Sequence, residues 1–368
     1  MKRYTMNKRY CFFCVGTGGH IFPAKNLIKR LLESGVPEED IIIVSDKRGV
    51  KYFEDMTVEI IQKEFFISTR GIFGYLVNIG QFIGTIWEVY KELKTKKINT
   101  IVTTGAYIAP YAALISLILR SEFYVQEQNQ YAGLGNRVAS YFPSTVFESF
   151  PETKNLNRKN TIFTGPILNI DTKKVIEKNT NRNFTIGIQG GSQGSEEINQ
   201  FIYKFIEEFD NYDVEFLHIT GPKKANTIKF NKSFYHQVEF FYDMNDYYQS
   251  VDFQISRAGG GILEAAYLNI PQLLIPFKHG TTASHQTLNA NYLEKNGNAK
   301  VVLEYKEFSE LIHNICKYKF SYLDENFSSD KLIEKWERVT KEDIQEMATL
   351  LTKEITYLLS GREAMVHE

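Results

Sequence analysis

The sequence predicts an α/β protein with two domains, each built on a parallel β-sheet that carries helices on both faces. The chain has 368 residues, which is more than one hydrophobic core usually serves. Apolar runs of strand length alternate with helical patterns, and glycine-rich turns follow the strands. This alternation stops in a polar stretch near Thr164–Lys174 and then starts again, which indicates a second domain of the same kind.

The elements of the first half follow from their periodicity and their end signals. Tyr10–Val15 is a short apolar run that ends in a glycine turn, so we expect a buried strand. Pro23–Ser34 carries apolar residues at helical spacing and stops at Gly35, so we expect a helix. The remaining predicted elements are strands at 40–45, 98–103 and 123–125 and an apolar helix at 109–119.

The second half repeats this order. Phe184–Gln189 is predicted as a strand that exits into Gly190–Ser195, and a helix is expected over Glu196–Phe209. Further strands are expected at 214–219, 251–256 and 272–276, with a helix that begins at Ile262. The sequence therefore predicts an N-terminal domain at 1–165, a C-terminal domain at 166–345, and a terminal helix at 346–368 that packs back on the N-terminal domain.

Composition limits the class of protein. Apolar residues make up 43% and charged residues 24%, which excludes a wholly disordered or fibrous chain. Cys11, Cys14 and Cys316 are too few for a disulfide framework, and the first two lack the second pair that a zinc site needs. We expect buried strand thiols, with redox or metal chemistry as the alternative. Neither a signal peptide nor an unbroken membrane-spanning run is seen, so we expect a cytoplasmic protein.

The charges are unevenly distributed along the chain. Residues 1–165 contain 21 lysines and arginines against 15 acidic residues, whereas residues 166–368 contain 22 against 29. A basic first half favours an anionic partner for that half, either a nucleic acid or an anionic membrane surface. Chance is the alternative, because the imbalance is modest.

Two glycine loops in the second half suit a phosphate group. Gly190–Gly194 and Arg257–Gly261 each follow a predicted strand and lead toward a helix. Their exposed N–H groups and the helix dipole would favour an anion, and two such loops in one domain suggest a diphosphate. The alternative is that the glycines only permit tight turns between strand and helix.

A third glycine loop, Gly16–His20, places a histidine at the end of the first predicted strand. Ligands of open parallel sheets bind at the carboxyl ends of the strands, so His20 is expected at the working edge of the sheet. A helix N-terminus favours the neutral imidazole, which is the form that a general base requires. The alternative is a histidine that only caps the turn.

Several segments together resemble the MurG family of glycosyltransferases. Val15–Ala24 is similar to the opening motif of that family, Thr104–Tyr107 to its second glycine loop, and Gly190–Gly194 to its G-G-S-Q-G loop. The chain departs from the family at Asn169, where an arginine is usual, and at 257–264, which is one residue short. The other matching segments, in family order between about residues 10 and 303, are Glu127–Asn129, Gly133–Arg137, Ser256–Gly259, Glu264, Pro276–Phe277, His279, His285–Ala290 and Leu293–Lys295.

The resemblance implies a GT-B fold, in which two Rossmann-like domains face a cleft. It implies inverting transfer of N-acetylglucosamine from UDP-N-acetylglucosamine to the muramoyl 4-hydroxyl of lipid I, an undecaprenyl-linked acceptor, to form lipid II for peptidoglycan. Neither a cofactor nor a metal would be needed, because N–H dipoles would stabilise the departing UDP. Other cell-wall enzymes are expected as partners, and a nucleic acid is not.

The resemblance also implies roles for individual residues. His20 would be the base that activates the muramoyl hydroxyl, with Glu127 as the second catalytic candidate. Glu264 would accept hydrogen bonds from the ribose hydroxyls, and the backbone of Phe241 would contact the uracil edge. The remaining donor-binding candidates are Ser192, Gln193, Gly259, Gly260, Gln286 and Asn289, and the acceptor-binding candidates are Thr17, Gly18, Gly19, Tyr107 and Asn129.

Residues 70–97 suggest a membrane contact in the acceptor domain. Apolar residues that include Ile79, Phe82, Ile83 and Trp87 recur at helical spacing, and lysines close the segment. Such a helix suits a peripheral position on the cytoplasmic face of the plasma (inner) membrane, where the lipids are anionic. The alternative is a helix whose apolar stripe faces the sheet.

Two other functions stay open at this point. A related inverting GT-B enzyme could use the same donor motifs on another lipid, such as diacylglycerol. A catalytically weak scaffold protein of the cell-wall machinery is a second alternative. Acceptor-dependent release of UDP would distinguish all three.

Overall fold

A computed structural model describes residues 8–16, 18–65, 72–168, 182–210, 213–222, 230, 232–241, 243–277, 281–328, 330 and 332. These residues form two compact units. The first runs to Gln128 and resumes over Ala132–Ile167, and the second holds Asn129–Tyr131 together with the described part of Leu168–Arg338. The terminal helix expected at 346–368 lies outside the described residues.

The first unit contains a seven-stranded sheet in which every paired strand is parallel to its neighbour. Its strands are β1 (Tyr10–Phe13), β2 (Ile41–Ser45), β3 (Glu59–Gln62), β4 (Thr100–Thr103), β5 (Glu122–Glu127), β6 (Thr145–Glu148) and β7 (Thr161–Phe163). The strands lie in the order β3-β2-β1-β4-β5-β6-β7. Its helices are α1 (Gly18–Glu33), α2 (Lys47–Val50), α3 (Ile72–Thr95), α4 (Ala109–Leu119) and α5 (Leu134–Ala139).

Both faces of this sheet are buried, which explains why its strands read as continuous apolar runs. Cys11 and Phe13 of β1 point to the face that α3, α4 and α5 cover. Tyr10 and Phe12 point to the opposite face, which α1 covers.

The second unit contains a six-stranded parallel sheet in the order β10-β9-β8-β11-β12-β13. These strands are β8 (Phe184–Gln189), β9 (Val214–Ile219), β10 (Tyr235–Val238), β11 (Phe253–Ser256), β12 (Gln272–Leu274) and β13 (Ala299–Val301). Its helices are α6 (Glu196–Glu208), α7 (Met244–Ser250), α8 (Gly261–Tyr267), α9 (Thr281–Lys295), α10 (Tyr305–Tyr318) and α11 (Phe320–Asn326). The apolar faces of α6 and α10 pack on one side of this sheet, and α7 and α8 contribute to a separate buried cluster.

The prediction of an α/β fold with two parallel sheets is confirmed. The helix expected over Pro23–Ser34 begins earlier, at Gly18, and ends at Glu33, so Pro23 lies inside it. Five strands were not predicted, since each has only three or four residues and most are only partly apolar: β3, β6, β7, β10 and β13.

Cys11 and Cys14 are buried free thiols in and directly after β1, as the sequence predicted, and Cys316 is a buried free thiol in α10. Burial raises the pKa of the Cys316 thiol to about 12, and it raises the pKa of Cys11 well above the usual value. These thiols are therefore protonated packing groups at neutral pH.

No helix in the described part of the chain is both long enough and apolar enough to cross a bilayer.

Candidate active site

The strand orders bring the glycine loops together in pairs. In the first sheet β1 and β4 are neighbours, so the loop Gly16–His20 and the loop at Thr104 leave adjacent strand ends. In the second sheet β8 and β11 are neighbours, which places Gly190–Gly194 beside Arg257–Gly261. In each sheet these two strands mark the point where the strand order reverses, which is where open α/β sheets bind ligands.

His20 lies half-buried in the first turn of α1. Its Nδ1 is 2.9 Å from the carbonyl oxygen of Thr104, and the Thr104 hydroxyl donates to the His20 carbonyl over 2.6 Å. A carbonyl oxygen can only accept, so the proton of the neutral ring belongs on Nδ1 and the lone pair on Nε2. The arrangement is suited to a general base that acts through Nε2.

Gln128, which belongs to the segment Glu127–Asn129 but was given no role from the sequence, is a second neighbour of the His20 ring. Its side-chain nitrogen donates to the Gly19 carbonyl over 3.0 Å and lies 2.8 Å from His20 Nδ1. Gln128 directly follows β5, so three strands of the sheet contribute to the surroundings of His20. The position of a polar residue at a strand end was the signal that could have identified it.

Glu127, the other catalytic candidate, is buried at the end of β5. Its Oε2 accepts from the backbone N–H of Gly133 over 3.0 Å and from the Asn136 side chain over 2.9 Å. These contacts hold the turn that precedes α5. The carboxylate is therefore placed to support the loop, whereas His20 has the arrangement of a base.

Asp46, for which the sequence predicted no role, is a buried carboxylate beside the glycine loop Gly16–His20. It accepts from the Tyr107 hydroxyl over 2.7 Å and from the N–H groups of Gly49 and Gly16 over 2.8 and 3.2 Å. Burial alone would raise the pKa of Asp46, but these hydrogen bonds and that of Arg48 outweigh it and lower the pKa. An acid directly after a buried strand was the available signal.

Tyr107, an acceptor-binding candidate, is fixed by this carboxylate. Burial, followed by the hydrogen bond to Asp46, raises the pKa of Tyr107 to about 12, so the phenol stays protonated. Gly18 is buried and Gly19 exposed in the first turn of α1, and Thr17 lies outside the described residues. The structure therefore brings Gly18, Gly19 and His20 together, with Tyr107 attached to the same loop through Asp46.

Asn289 and Asn129 both belong to the second compact unit. The Asn289 side-chain nitrogen donates to Asn129 Oδ1 and to the Ala258 carbonyl, each over 3.1 Å, and its oxygen accepts from the Gln130 N–H over 2.8 Å. Since protein partners use all the hydrogen-bonding atoms of Asn289, its contacts connect the segment Asn129–Tyr131 to the loop before α8.

The donor-side glycine loops leave open space in front of their backbone. A Cβ atom at Gly191, Gly259 or Gly260 would meet no heavy atom within 4 Å. At Gly194, by contrast, φ is +66° and a Cβ would lie 2.1 Å from the Thr220 carbonyl oxygen, so only glycine fits there. The backbone of Gly194 thus lies in close contact with Thr220, whereas the backbone at Gly191, Gly259 and Gly260 is accessible to a phosphate.

The candidate side chains of these loops differ in exposure. Ser192 is half-buried and Gln193 is exposed on the loop after β8. Gln286 is half-buried, and its Oε1 accepts from the Phe277 N–H over 2.9 Å. Phe241 is half-buried against Tyr247, with ring centroids 5.8 Å apart.

Glu264 lies near the start of α8, behind the loop Gly259–Gly261. Its Oε2 accepts from the Tyr248 hydroxyl over 3.0 Å. Burial raises the pKa of Glu264 to about 7, and the hydrogen bond from Tyr248 opposes that rise. A carboxylate in this position is costly to ionise without a ligand, which is a common property of binding groups.

No cluster of three or more potential metal-binding side chains occurs within the described ranges. Asn169, where the motif comparison expects an arginine, lies outside those ranges.

Comparison with known proteins supports the assignment of both units. The glycosyltransferase family 28 N-terminal domain matches residues 10–148, and the C-terminal domain of the same family matches residues 185–349. Together they include the strands of both sheets except β7.

Two relatives carry the same description, UDP-N-acetylglucosamine--N-acetylmuramyl-(pentapeptide) pyrophosphoryl-undecaprenol N-acetylglucosamine transferase. The protein from Thermosipho africanus is 30% identical over 295 residues, which are 78% of this chain and 84% of the relative. The protein from Thermoanaerobacter sp. is 27% identical over 378 residues, which are 95% of this chain and 100% of the relative.

Solved structures support the fold. MurG from Acinetobacter baumannii superposes with a TM-score of 0.70 at 20% identity and covers 94% of this chain and 99% of its own. A calicheamicin glycosyltransferase superposes with a TM-score of 0.69 at 12% identity and covers 96% and 100%. The family matches and the extent of the similarity to the Thermosipho relative show that this chain belongs to glycosyltransferase family 28.

Proposed function

We propose that this chain transfers N-acetylglucosamine from UDP-N-acetylglucosamine to the muramoyl 4-hydroxyl of lipid I and so forms lipid II for peptidoglycan. The description of the relatives supports the reaction. The observation in this chain that carries it is the hydrogen bond from His20 Nδ1 to Thr104, which leaves Nε2 as a base at the reversal point of the first sheet.

In this reaction His20 Nε2 takes the proton of the acceptor hydroxyl as the oxygen attacks the anomeric carbon. The bond from the anomeric carbon to the UDP oxygen breaks, and UDP leaves with the electron pair. Attack from the side opposite the leaving group inverts the configuration and gives a β-1,4 bond. The Thr104 carbonyl keeps the imidazole oriented for this step.

The donor is assigned to the second domain, 166–345. Glu264 would accept from the ribose hydroxyls. Backbone N–H groups of the Gly190–Gly194 and Gly259–Gly261 loops, whose glycines 191, 259 and 260 face open space, would hold the diphosphate. Ser192, Gln193 and Gln286 would add contacts to the diphosphate and the sugar, and Phe241 would meet the uracil edge. Because backbone dipoles face the leaving group, charge that develops on UDP would be stabilised without rearrangement.

The acceptor and the membrane are assigned to the first domain, 1–165. Ile83 and Trp87 on α3 are 59% and 52% exposed, and the Lys91 ammonium lies 5.2 Å from the Trp87 ring centroid. Phe82 is placed differently from the sequence interpretation. It packs against Tyr111, with ring centroids 4.3 Å apart, because it lies on the face of α3 that covers the sheet.

The exposed apolar surface continues onto neighbouring helices. Exposed apolar side chains also occur at the end of α4 and along and just after α5, and α4 contacts both α3 and α5. A patch of this kind suits peripheral binding to the anionic cytoplasmic face of the plasma membrane, where a polyprenyl acceptor resides. The side chain of Ile79 lies outside the described part of the chain. The exposed residues on α4, α5 and beyond are Leu117, Ile118, Leu134, Val138 and Tyr141.

The deciding experiment incubates the purified protein with UDP-N-acetylglucosamine and a lipid I analogue and measures UDP release. Release that requires the analogue, with a β-linked disaccharide product, supports the proposal. Diacylglycerol in place of the analogue tests the first alternative function. Binding of UDP without transfer to either acceptor would contradict the proposal and favour the scaffold alternative.

A further inference from the structure

We infer that Tyr248 is a positioning residue for the donor: its hydroxyl holds the Glu264 carboxylate in the orientation that accepts from the ribose. This inference rests on the proposed role of Glu264 and adds a residue that the motifs do not contain. Tyr248 lies in α7, on a different element from Glu264, and belongs to neither glycine loop.

The contact is short and shielded from solvent. Tyr248 is fully buried, and its hydroxyl is 3.0 Å from Glu264 Oε2 and 3.3 Å from the Gly261 carbonyl oxygen. A hydroxyl has one proton, and the ionised carboxylate is the stronger acceptor of the two. Tyr248 therefore donates to Glu264 and restricts rotation of the carboxylate before any ligand arrives.

A series of hydrogen-bonded side-chain amides crosses the second sheet beside Tyr248. Gln189 of β8 lies beside the Tyr248 hydroxyl and donates to Gln254 of β11 over 2.8 Å. Gln254 donates to Gln272 of β12 over 3.0 Å, and Gln272 donates to Asn298 over 2.6 Å. We call these four residues, Gln189, Gln254, Gln272 and Asn298, the amide series.

The amide series is also attached to the helix that carries Glu264. Gln272 donates to the carbonyl of Ile262 in α8 over 2.9 Å. Gln254, Gln272 and Asn298 are fully buried, where an unpaired amide would be costly. Because the buried amides are hydrogen-bonded to one another, the series fixes the start of α8, the helix that carries the Glu264 carboxylate.

The consequence for binding is preorganisation. A carboxylate that is free to rotate must be ordered when the ribose binds, and that ordering reduces affinity. With one lone pair of Oε2 engaged by Tyr248, the other oxygen is held ready for the ribose hydroxyls. Removing the Tyr248 hydroxyl should thus weaken ligands that have ribose hydroxyls and spare ligands that lack them.

The test compares Tyr248→Phe with Tyr247→Phe by calorimetric titration with UDP and with 2′,3′-dideoxy-UDP. Tyr247 is a matched control, since it is equally buried in the same helix and its hydroxyl makes only a 3.4 Å contact with Gln254. Tyr248→Phe is expected to weaken UDP about 5- to 10-fold and dideoxy-UDP by less than about 2-fold. Tyr247→Phe should leave both ligands nearly unchanged.

Two results would overturn the inference. Equal weakening of both ligands would show that the hydroxyl only supports the fold, and unchanged UDP affinity would show that it has no role in binding. Glu264→Gln provides the reference, because in that background Tyr248→Phe should cause little further loss of UDP affinity. Failure of the proposed function would look different: UDP would bind with the expected selectivity, yet no acceptor-dependent transfer would occur.

Discussion

Replacement of Glu264 by glutamine is expected to make the unliganded protein more stable and the donor site weaker. The carboxyl is buried beside Tyr248, and burial raises its pKa from 4.5 to about 7. The folded protein therefore holds this proton more tightly than the unfolded chain does. Glutamine keeps the shape and can still accept from Tyr248, but it cannot ionise.

The size of the stability difference between Glu264→Gln and wild type, and the pH range in which it occurs, follow from that pKa. The stabilisation from the bound proton is complete below pH 4.5, is lost as the pH rises to about 7, and stays absent above that. A pKa that moves from 4.5 to about 7 corresponds to about 3 kcal/mol between the two forms. The side-chain amide of the introduced glutamine has an N–H group without a partner, which reduces this gain. We therefore expect Glu264→Gln to be about 1–3 kcal/mol more stable than wild type at pH 8.

Thermal unfolding without ligand at pH 5 and pH 8 measures the effect. At about 2–4 °C for each kcal/mol, the midpoint at pH 8 should rise by several degrees, and most of the difference should disappear at pH 5. Glu325→Gln, an exposed carboxylate in the same unit, is the control and should change little. UDP affinity of Glu264→Gln should fall by about 1.5–3 kcal/mol.

Two outcomes would refute this reasoning. A lower midpoint at pH 8 would mean that the ionised carboxylate stabilises the unliganded fold. A higher midpoint with unchanged UDP affinity would mean that Glu264 is buried for a reason other than the donor.

Three further predictions concern the first unit. His20→Ala should lower kcat by roughly 10²–10⁴ and leave UDP affinity nearly unchanged, as rate assays and calorimetry would show, and near-normal turnover would exclude it as the base. The double variant Ile83→Ser with Trp87→Gln should sediment less with anionic vesicles, and its melting temperature should be unchanged because both side chains are exposed. Phe82→Ser should instead lower the melting temperature, because Phe82 packs against Tyr111. Asp46→Asn should reduce the free energy of unfolding at pH 7 by about 1–3 kcal/mol in denaturant titrations. Because the hydrogen bonds lower the pKa of Asp46, the stability it contributes is lost in acid, so the two proteins should converge at low pH.

The strongest local patterns were enough to identify the fold and the family. Tyr10–Val15 and Phe184–Gln189 were recognised as strands because strands buried on both faces are continuously apolar. The glycine loops were recognised because they directly follow such strands. The short strands β3 and β10 escaped prediction, since four residues of mixed polarity carry too little periodicity to stand out.

The arrangement of the site depended on contacts between residues that are far apart in the sequence. Asp46 and Tyr107 are 61 positions apart, and His20 and Gln128 are 108 apart. Neither pair follows from a local pattern, because the order of strands in the sheet decides which strand ends are neighbours. Phe82 shows that the same is true within one helix. Periodicity identifies the apolar residues of α3, but only the packed structure decides which of them lie against the sheet.

The sequence by itself determined the two sheets, the loops at their strand ends and the family. Only the tertiary structure decided that the Tyr248 hydroxyl donates to Glu264. It alone also decided that the members of the amide series are hydrogen-bonded to one another across the second sheet. Apolar periodicity arises from the burial of one face of each segment, so it can be recognised from residues that are close together in the sequence. A hydrogen bond between side chains requires two backbones at a fixed distance and angle, and only the packed fold provides that geometry.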